Sequence, residues 1–389
     1  MGKHIALFVG SLYGSGVQRA MLRLARAFSE RGQRVDLLVC TEGGHLEHEV
    51  ADVVRVVSLP PRILSGFLET AVAGDVLRRP SLVVPLLRFG AARHLPALVE
   101  YLRSERPDAI LAAATPPNLM AILGRQISGV RTRVVVSERN HLSAKVARFG
   151  KRWKLALIRH FYPAADAIVA VSHGVAADLA TTAGIAPDRI STIYNPVVDA
   201  SLLGQAHATP DHPWMADDGP PVVLGVGKLE SRKDFATLLR AFARLRERRD
   251  ARLLILGEGS EQKSLRKLAS QLGVADCVDL PGFVSNPFAY MQRAGVLVLS
   301  SCWEGLPNVL IEALACGCPV VSTDCPSGPA EILEDGIHGA LVPIGDDLAL
   351  AEAIAAALEK PPSRERLQAR AASFSIDAAA GRYHELLLP

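Results

Sequence analysis

Aromatic side chains are scarce: Phe, Trp and Tyr make up only 5% of the 389 residues. Proteins that read nucleic acid by stacking need such rings on an exposed surface, so nucleic acid is not an expected partner. Long apolar runs are missing as well. No stretch of about 18 uncharged apolar residues occurs, which excludes a helix spanning a bilayer. The run Ile5–Val9 is too short for the apolar heart of a secretory leader, and Ala6 stands where a myristoylation signal carries Ser or Thr. A cytoplasmic protein is therefore expected, free or peripheral on the inner face of the cytoplasmic membrane. The six cysteines (Cys40, Cys277, Cys302, Cys316, Cys318, Cys325) include the pair in Cys316-Gly-Cys318 but no second pair and no histidine cluster at zinc spacing. No Asp-x-Asp pair stands where it would hold a metal against a phosphate. The glycine loop Gly10–Gly16 lacks the Lys-Ser/Thr ending of an ATPase loop, and Arg19 replaces the last glycine of a dinucleotide fingerprint. No bound metal and no cofactor are expected.

What is present is a globular composition, 49% hydrophobic and 21% charged, on a chain long enough for two domains. The charge is uneven. Residues 1–199 hold 25 Lys/Arg against 16 Asp/Glu, a net of +9, whereas residues 200–389 hold 18 against 24, a net of −6. Such a split points to an anionic surface or substrate for one half. Short apolar runs alternate with helical periodicity. Ile5–Val9, a glycine turn, a helix over Val17–Arg31 and a strand at Val35–Val39 make one βαβ unit. Further strands are expected at 109–113, 134–136, 167–171 and 190–193. The prolines at 210, 213, 220 and 221 suggest a linker over 200–220. Beyond it the pattern restarts, with strands at 222–226, 253–256, 278–280, 296–299 and 319–322 and helices at 235–247, 261–272 and 307–316. The expected fold is α/β: two doubly wound, Rossmann-like domains facing a cleft, with ligands beyond the carboxyl ends of the strands.

The sharpest motif is Ser300-Ser-Cys-Trp-Glu-Gly-Leu-Pro-Asn-Val-Leu-Ile-Glu312, with Glu304 in a loop and Glu312 within the following helix. Pro307 suits the first helical position, and the backbone N–H groups there suit a diphosphate. Two carboxylates beside that anion site can accept hydrogen bonds from sugar hydroxyls. Upstream, Gly225-Val-Gly-Lys-Leu-Glu-Ser-Arg-Lys-Asp234 follows a strand with three cations, Lys228, Arg232 and Lys233. Downstream, Ser327-Gly-Pro-Ala-Glu-Ile332 is another turn after a strand. Either charged loop alone is ordinary surface; three loops at the ends of parallel strands converge.

Together with LLILGEG and LPGFVSN, these segments make residues 222–345 resemble the donor domain of glycosyltransferase family 4, within the GT-B fold, and the N-terminal half matches more loosely. The resemblance implies a retaining transfer from a nucleotide sugar, with UDP the commonest nucleotide, in an N-terminal acceptor domain (1–199), a linker (200–220), a donor domain (221–375) and a last helix (376–389) packing back on the N-terminal domain. It implies that Glu304 contacts the sugar, that Gly305, Leu306, Pro307 and Asn308 reach sugar and phosphates, and that Glu312 takes the ribose. Lys233, Lys228 and, less directly, Arg232 meet the diphosphate beside Gly227. Phe283 and Val284 meet the base, and Gly14, Ser15 and Gly16 approach the diphosphate from the other domain. Lys228 stands where many members carry Arg, which keeps charge but loses the forked geometry. In Ser137-Glu-Arg-Asn-His141, either Arg139 or His141 stands for a histidine common in this loop among relatives, so Glu138 and Arg139 join the expected catalytic group, with His141 a weaker candidate. His173 is expected to be structural, and Asn195 to shape the chain's path into the next domain.

The acceptor is less legible. Residues 139–165 carry seven Lys/Arg and no acid, interleaved with Val146, Trp153, Leu157 and Phe161, and a second basic stretch runs over Arg62–Arg106 with Arg78, Arg79, Arg88 and Arg93. Basic amphipathic segments of this kind suit an anionic membrane. The segment Cys325-Pro-Ser-Gly-Pro-Ala-Glu331 is similar to that of members that build bacterial polysaccharides on polyprenyl diphosphate. The expected acceptor is therefore a lipid-linked glycan. A soluble saccharide acceptor, a sugar-nucleotide epimerase and a non-catalytic nucleotide-sugar-binding subunit stay open as alternatives.

Overall fold

The computed structural model describes residues 2–13, 16–63, 90–150, 152–216 and 219–389. They fall into two compact units, Met1–Pro196 together with Ile376–Pro389, and Val197–Ser375. Gly14, Ser15, Arg78, Arg79 and Arg88 lie outside the described residues.

In the first unit seven strands pair: β1 (His4–Ser11), β2 (Arg34–Thr41), β3 (Arg55–Ser58), β4 (Ala109–Ala113), β5 (Arg133–Glu138), β6 (Ala167–Ala170) and β7 (Ile190–Thr192). They run in the order β3-β2-β1-β4-β5-β6-β7, every pairing parallel. Side chains alternate across a strand, and here both faces are covered. Ala6 and Phe8 of β1 enter one apolar cluster with α2 (Leu95–Glu105) and α3 (Thr115–Ser128). Ile5, Leu7 and Val9 enter another with α1 (Gly16–Glu30) and the final helix, which spans Ile376–Leu387. Burial on both faces is why these strands read as unbroken apolar runs. Tyr383 of the final helix is fully buried against this unit, and Arg133 Nε donates to Leu386 O at 2.6 Å.

The second unit repeats the plan with β8 (Val222–Val226), β9 (Arg252–Leu256), β10 (Val278–Gly282), β11 (Val296–Leu299), β12 (Val320–Thr323) and β13 (Ala340–Val342), in the parallel order β10-β9-β8-β11-β12-β13. In both sheets the strand order reverses beside the first strand, between β1 and β4 and between β8 and β11. Chain leaving the carboxyl ends of those neighbours diverges to opposite faces and opens a crevice.

Residues 200–216 carry their own structure and belong to the second unit. Ala200–Ala206 is a helix whose first turn is capped by Asp199, which accepts from Leu202 N at 2.8 Å. Pro213–Met215 is a single 3-10 turn with Pro213 at its first position, and Leu202, Ala206 and Met215 are buried. His212 Nε2 lies 3.1 Å from Asp279 Oδ2, and Tyr290 donates its hydroxyl to Asp211 O at 3.2 Å. Prolines interrupt helices but fit their first turns, so a proline-rich segment can still pack. Among the described residues, no helix is long and apolar enough to cross a membrane.

Candidate functional site: the switch point of the second sheet

The loops after β8 and β11 meet at the switch point of the second sheet. After β8, a 3-10 turn over Ser231–Lys233 ends at Asp234, whose φ is 44° and whose carboxylate accepts from Thr237 Oγ1 at 2.7 Å. This sharp turn, fixed by a side-chain cap, sets the backbone from which Lys233 projects. After β11, residues Ser300–Pro307 lead into the helix Asn308–Ala315. Pro307 is the cap of that helix rather than its first residue.

Glu304 lies between the two loops. Its Oε1 accepts from Lys233 Nζ at 2.6 Å and from Ser301 Oγ at 2.8 Å, and its Oε2 from Arg232 Nη1 at 2.6 Å. Arg232 also pairs with Glu230 at 3.1 Å and donates to Trp303 O at 3.4 Å. Burial alone would raise the Glu304 carboxyl, but the charges of Lys233 and Arg232 and the bonds from Lys233 and Ser301 bring it down to about 2. The same carboxylate, with Glu230, raises the Arg232 guanidinium against its own desolvation. At neutral pH the site is thus a buried anion locked between two cations.

The neighbouring loops close round it because glycines let backbones touch. A Cβ on Gly257, after β9, would lie 1.9 Å from Gly227 O, and one on Gly328, after β12, would lie 2.5 Å from Pro307 Cδ. Ser300 Oγ donates to Lys233 O at 2.7 Å, and Thr323 Oγ1 to Ser301 O at 2.6 Å. These buried hydroxyls, and Glu258, which accepts from Phe283 N at 3.4 Å, were missed from sequence. Their one signal there is the Ser-Ser pair directly after an apolar strand. Gly305, Leu306 and Pro307 are buried at the foot of the helix, Asn308 is half-buried, and Glu312 lies one turn further on, largely buried. Lys228 and Phe283 are exposed and Val284 is half-buried. The second unit therefore gathers Glu304, Lys233 and Arg232 in direct contact, with Gly227 beside them.

In the first unit Glu138 and Arg139 sit at the end of β5 in a buried hydrogen-bond network. Glu138 ends β5 fully buried, accepting from Thr115 Oγ1 and Tyr162 OH at 3.0 Å each and from Arg139 N at 3.0 Å. Arg139 is 6% exposed, donating to Asn195 Oδ1 at 2.9 Å and Tyr383 OH at 3.4 Å, so Asn195 is a structural partner of Arg139. Both charged groups thus have hydrogen-bond partners within the unit. His141 Nε2 lies 3.6 Å from Asp178, whose carboxylate also caps the helix Leu142–Phe149 through Leu142 N. His173 is exposed at the start of the helix His173–Ala183, its ring edge-on to Tyr194. Gly16 opens α1.

The basic stretch 139–165 also changes character. Leu157, Ile158 and Phe161 of the helix Trp153–Phe161 point into the core, and Arg159 donates to Ala183 O at 3.2 Å. Part of its apolar side is thus a core side, while Trp153 and Leu155 are half-buried. One trio of possible metal ligands, His4, Asp36 and Glu105, lies together among the described residues, at the amino ends of the first sheet. Its acids are occupied: Asp36 accepts from Arg55, from His4 at 2.9 Å and from Tyr101 OH at 2.7 Å, and Glu105 pairs with Arg34 at 2.6 Å. A cation is already supplied by arginine there.

Comparison with known proteins agrees with the geometry. Residues 211–374 match the family model described as glycosyl transferases group 1, and residues 14–200 match that of glycosyltransferase family 4. A Campylobacter jejuni protein, N-acetylgalactosamine-N,N'-diacetylbacillosaminyl-diphospho-undecaprenol 4-alpha-N-acetylgalactosaminyltransferase, is 34% identical over 264 residues, 66% of this chain and 68% of that one. The lipopolysaccharide 1,6-galactosyltransferase of Escherichia coli K12 is 27% identical over 66% of this chain and 67% of its own length. Among solved structures, Anabaena HepE in complex with UDP and glucose superposes with a TM-score of 0.78 at 20% identity, covering 98% of each chain, a likeness of GT-B fold.

Proposed function

We propose, because this chain belongs to family 4 of the glycosyltransferases and is a transferase enzyme, that it moves a hexose or N-acetylhexosamine from a UDP-sugar to a hydroxyl of a lipid-linked glycan in bacterial surface polysaccharide synthesis. The observation that carries this reading is the contact of Glu304 with Lys233 and Arg232 at a switch point, beside the start of a helix. That is a set of groups suited to a diphosphate and a sugar hydroxyl at once. The named activities of the Campylobacter and Escherichia coli relatives, both on lipid-borne glycans, support the acceptor class. The UDP in the Anabaena complex supports the nucleotide.

On this reading the glycosyl–phosphate bond breaks with positive charge growing at the anomeric carbon and negative charge on the leaving diphosphate. Lys233, Arg232 and Lys228 hold that charge, and the backbone N–H groups of Leu306 and Asn308 add their dipoles. Glu304 orients the sugar, and Glu312 takes the ribose. The acceptor hydroxyl attacks from the face the diphosphate leaves and passes its proton to the leaving phosphate oxygen, which retains configuration. With these three cations to meet the diphosphate, the reading needs no metal.

The test is a screen of UDP-, GDP- and ADP-sugars in EDTA, following nucleoside diphosphate release with and without a polyprenyl-linked lipid extract. Release from one UDP-sugar only when lipid is added is the expected result. Conversion of the donor without acceptor would replace the reading with an epimerase, and turnover only on soluble saccharides would replace the acceptor class.

A further inference from the structure

Glu304 is crowded by donors. A carboxylate offers about four in-plane acceptor positions. Lys233 and Ser301 take two on Oε1 and Arg232 takes one on Oε2. The side chains of Glu304 and Lys233 are only 8% and 11% exposed, so water screens their contact weakly. Ser301 is fully buried with its carbonyl held by Thr323, and Ser300 holds the carbonyl of Lys233, so neither side of the contact is free to drift. The two cations suited to a diphosphate are therefore already engaged by an internal acid.

We propose that Glu304 is an internal counter-ion to Lys233 and Arg232 that only a complete nucleotide sugar displaces without loss, so that it selects the nucleotide sugar over the free nucleoside diphosphate. The inference rests on the donor reading above. A nucleoside diphosphate can draw the two cations away, but it leaves a buried carboxylate with the Ser301 hydroxyl as its remaining donor. A nucleotide sugar brings its own hydroxyls to replace the cations on Glu304. Hydrogen bonds to a charged group are among the strong ones, so the preference is roughly tenfold or more. After transfer the sugar hydroxyls are gone, Glu304 retakes its cations and the spent nucleotide is expelled. Glu304 thus both grips the sugar and limits inhibition by the nucleotide product.

The test reverses the usual sign of a binding-site substitution. Titration calorimetry would compare the full-length protein with Glu304→Gln and Glu304→Ala, using inorganic pyrophosphate, UDP, GDP and ADP as probes, with circular dichroism confirming the fold. The expected result is at least about fivefold tighter binding of pyrophosphate and of the preferred nucleoside diphosphate by the Glu304 variants. Adding Lys233→Gln to Glu304→Gln is expected to remove that gain. Equal or weaker binding by both folded Glu304 variants, with the unaltered protein binding normally, would overturn the counter-ion and leave the donor reading intact. Failure of the unaltered protein and of both folded Glu304 variants alike to bind any of the four probes would overturn the donor reading itself, and the counter-ion with it.

Discussion

The two units share a strand order and differ in where they keep their charge. In the second, the loops after β8 and β11 bring Lys233, Arg232 and Glu304 together at the carboxyl ends of the strands. In the first, the acid and the cation after β5 are turned inward: Glu138 serves Thr115 and Tyr162, and Arg139 serves Asn195 and Tyr383. One topology thus holds an acid between two loop cations in one unit and within a strand-end hydrogen-bond network in the other. Chemistry is carried by loops grafted on the sheet and not by the sheet.

The largest expected effect separates the two networks directly. Replacing Glu304 by Ala, or Lys233 by Ala, is expected to lower kcat/KM for transfer by roughly 10²–10³-fold, the loss typical of a group aimed at developing charge. Glu138→Gln is expected to leave kcat of the folded protein within about threefold and to act on stability, costing on the order of 1–3 kcal/mol because hydrogen-bonded buried groups lose partners. Transfer kinetics and urea unfolding of the same preparations would show the crossing pattern. A catalytic collapse in a fully folded Glu138→Gln would break the comparison.

A middle-sized effect lies in acid. The Glu304 carboxyl is held at about 2 against an ordinary 4.5. A depressed carboxyl contributes its full stability above its unfolded value and loses it as pH falls through the folded one. The stability gap between the unaltered protein and Glu304→Gln is therefore expected to be constant near neutral pH and to shrink as pH drops from 4.5 towards 2. Unfolding midpoints measured across that window would check it; a gap that widens in acid would contradict it. The smallest effect belongs to Lys228. Its side chain is exposed, so Lys228→Ala is expected to raise the donor KM by roughly three- to tenfold through lost attraction while leaving stability within about 0.5 kcal/mol.

How much of this was legible beforehand follows from what a sequence encodes. Apolar runs such as Leu253–Leu256 and Val296–Leu299 lie between recognisable turn residues, so the strands of both sheets and the switch-point loops could be read off. Short β3 and β13, at the sheet edges, carry little apolar signal; Arg55 and Val56 of β3 and Ala340 of β13 are exposed. Glu304, Lys233 and Arg232 were legible because a motif fixes their surroundings. The surroundings of Glu138 and Arg139 were not legible because charge is visible in a sequence and burial is not: nothing in Ser-Glu-Arg-Asn-His announces that Tyr383, some 240 residues away, will meet the arginine. The basic stretch at 139–165 is ambiguous in sequence for the same reason, since a helix with an apolar core side and one with an apolar lipid side share one periodicity. Ser300 and Ser301 were passed over because small hydroxyls show their role only once the strand end that holds them is in place.

The most direct measurement of the central claim is a crystal structure of the Glu304→Gln protein with its preferred UDP-sugar bound. The account predicts the diphosphate within hydrogen-bonding distance of Lys233 Nζ and Arg232, and a sugar hydroxyl against residue 304. A donor seated at the carboxyl ends of the first sheet instead, with Lys233 and Arg232 untouched, would contradict it.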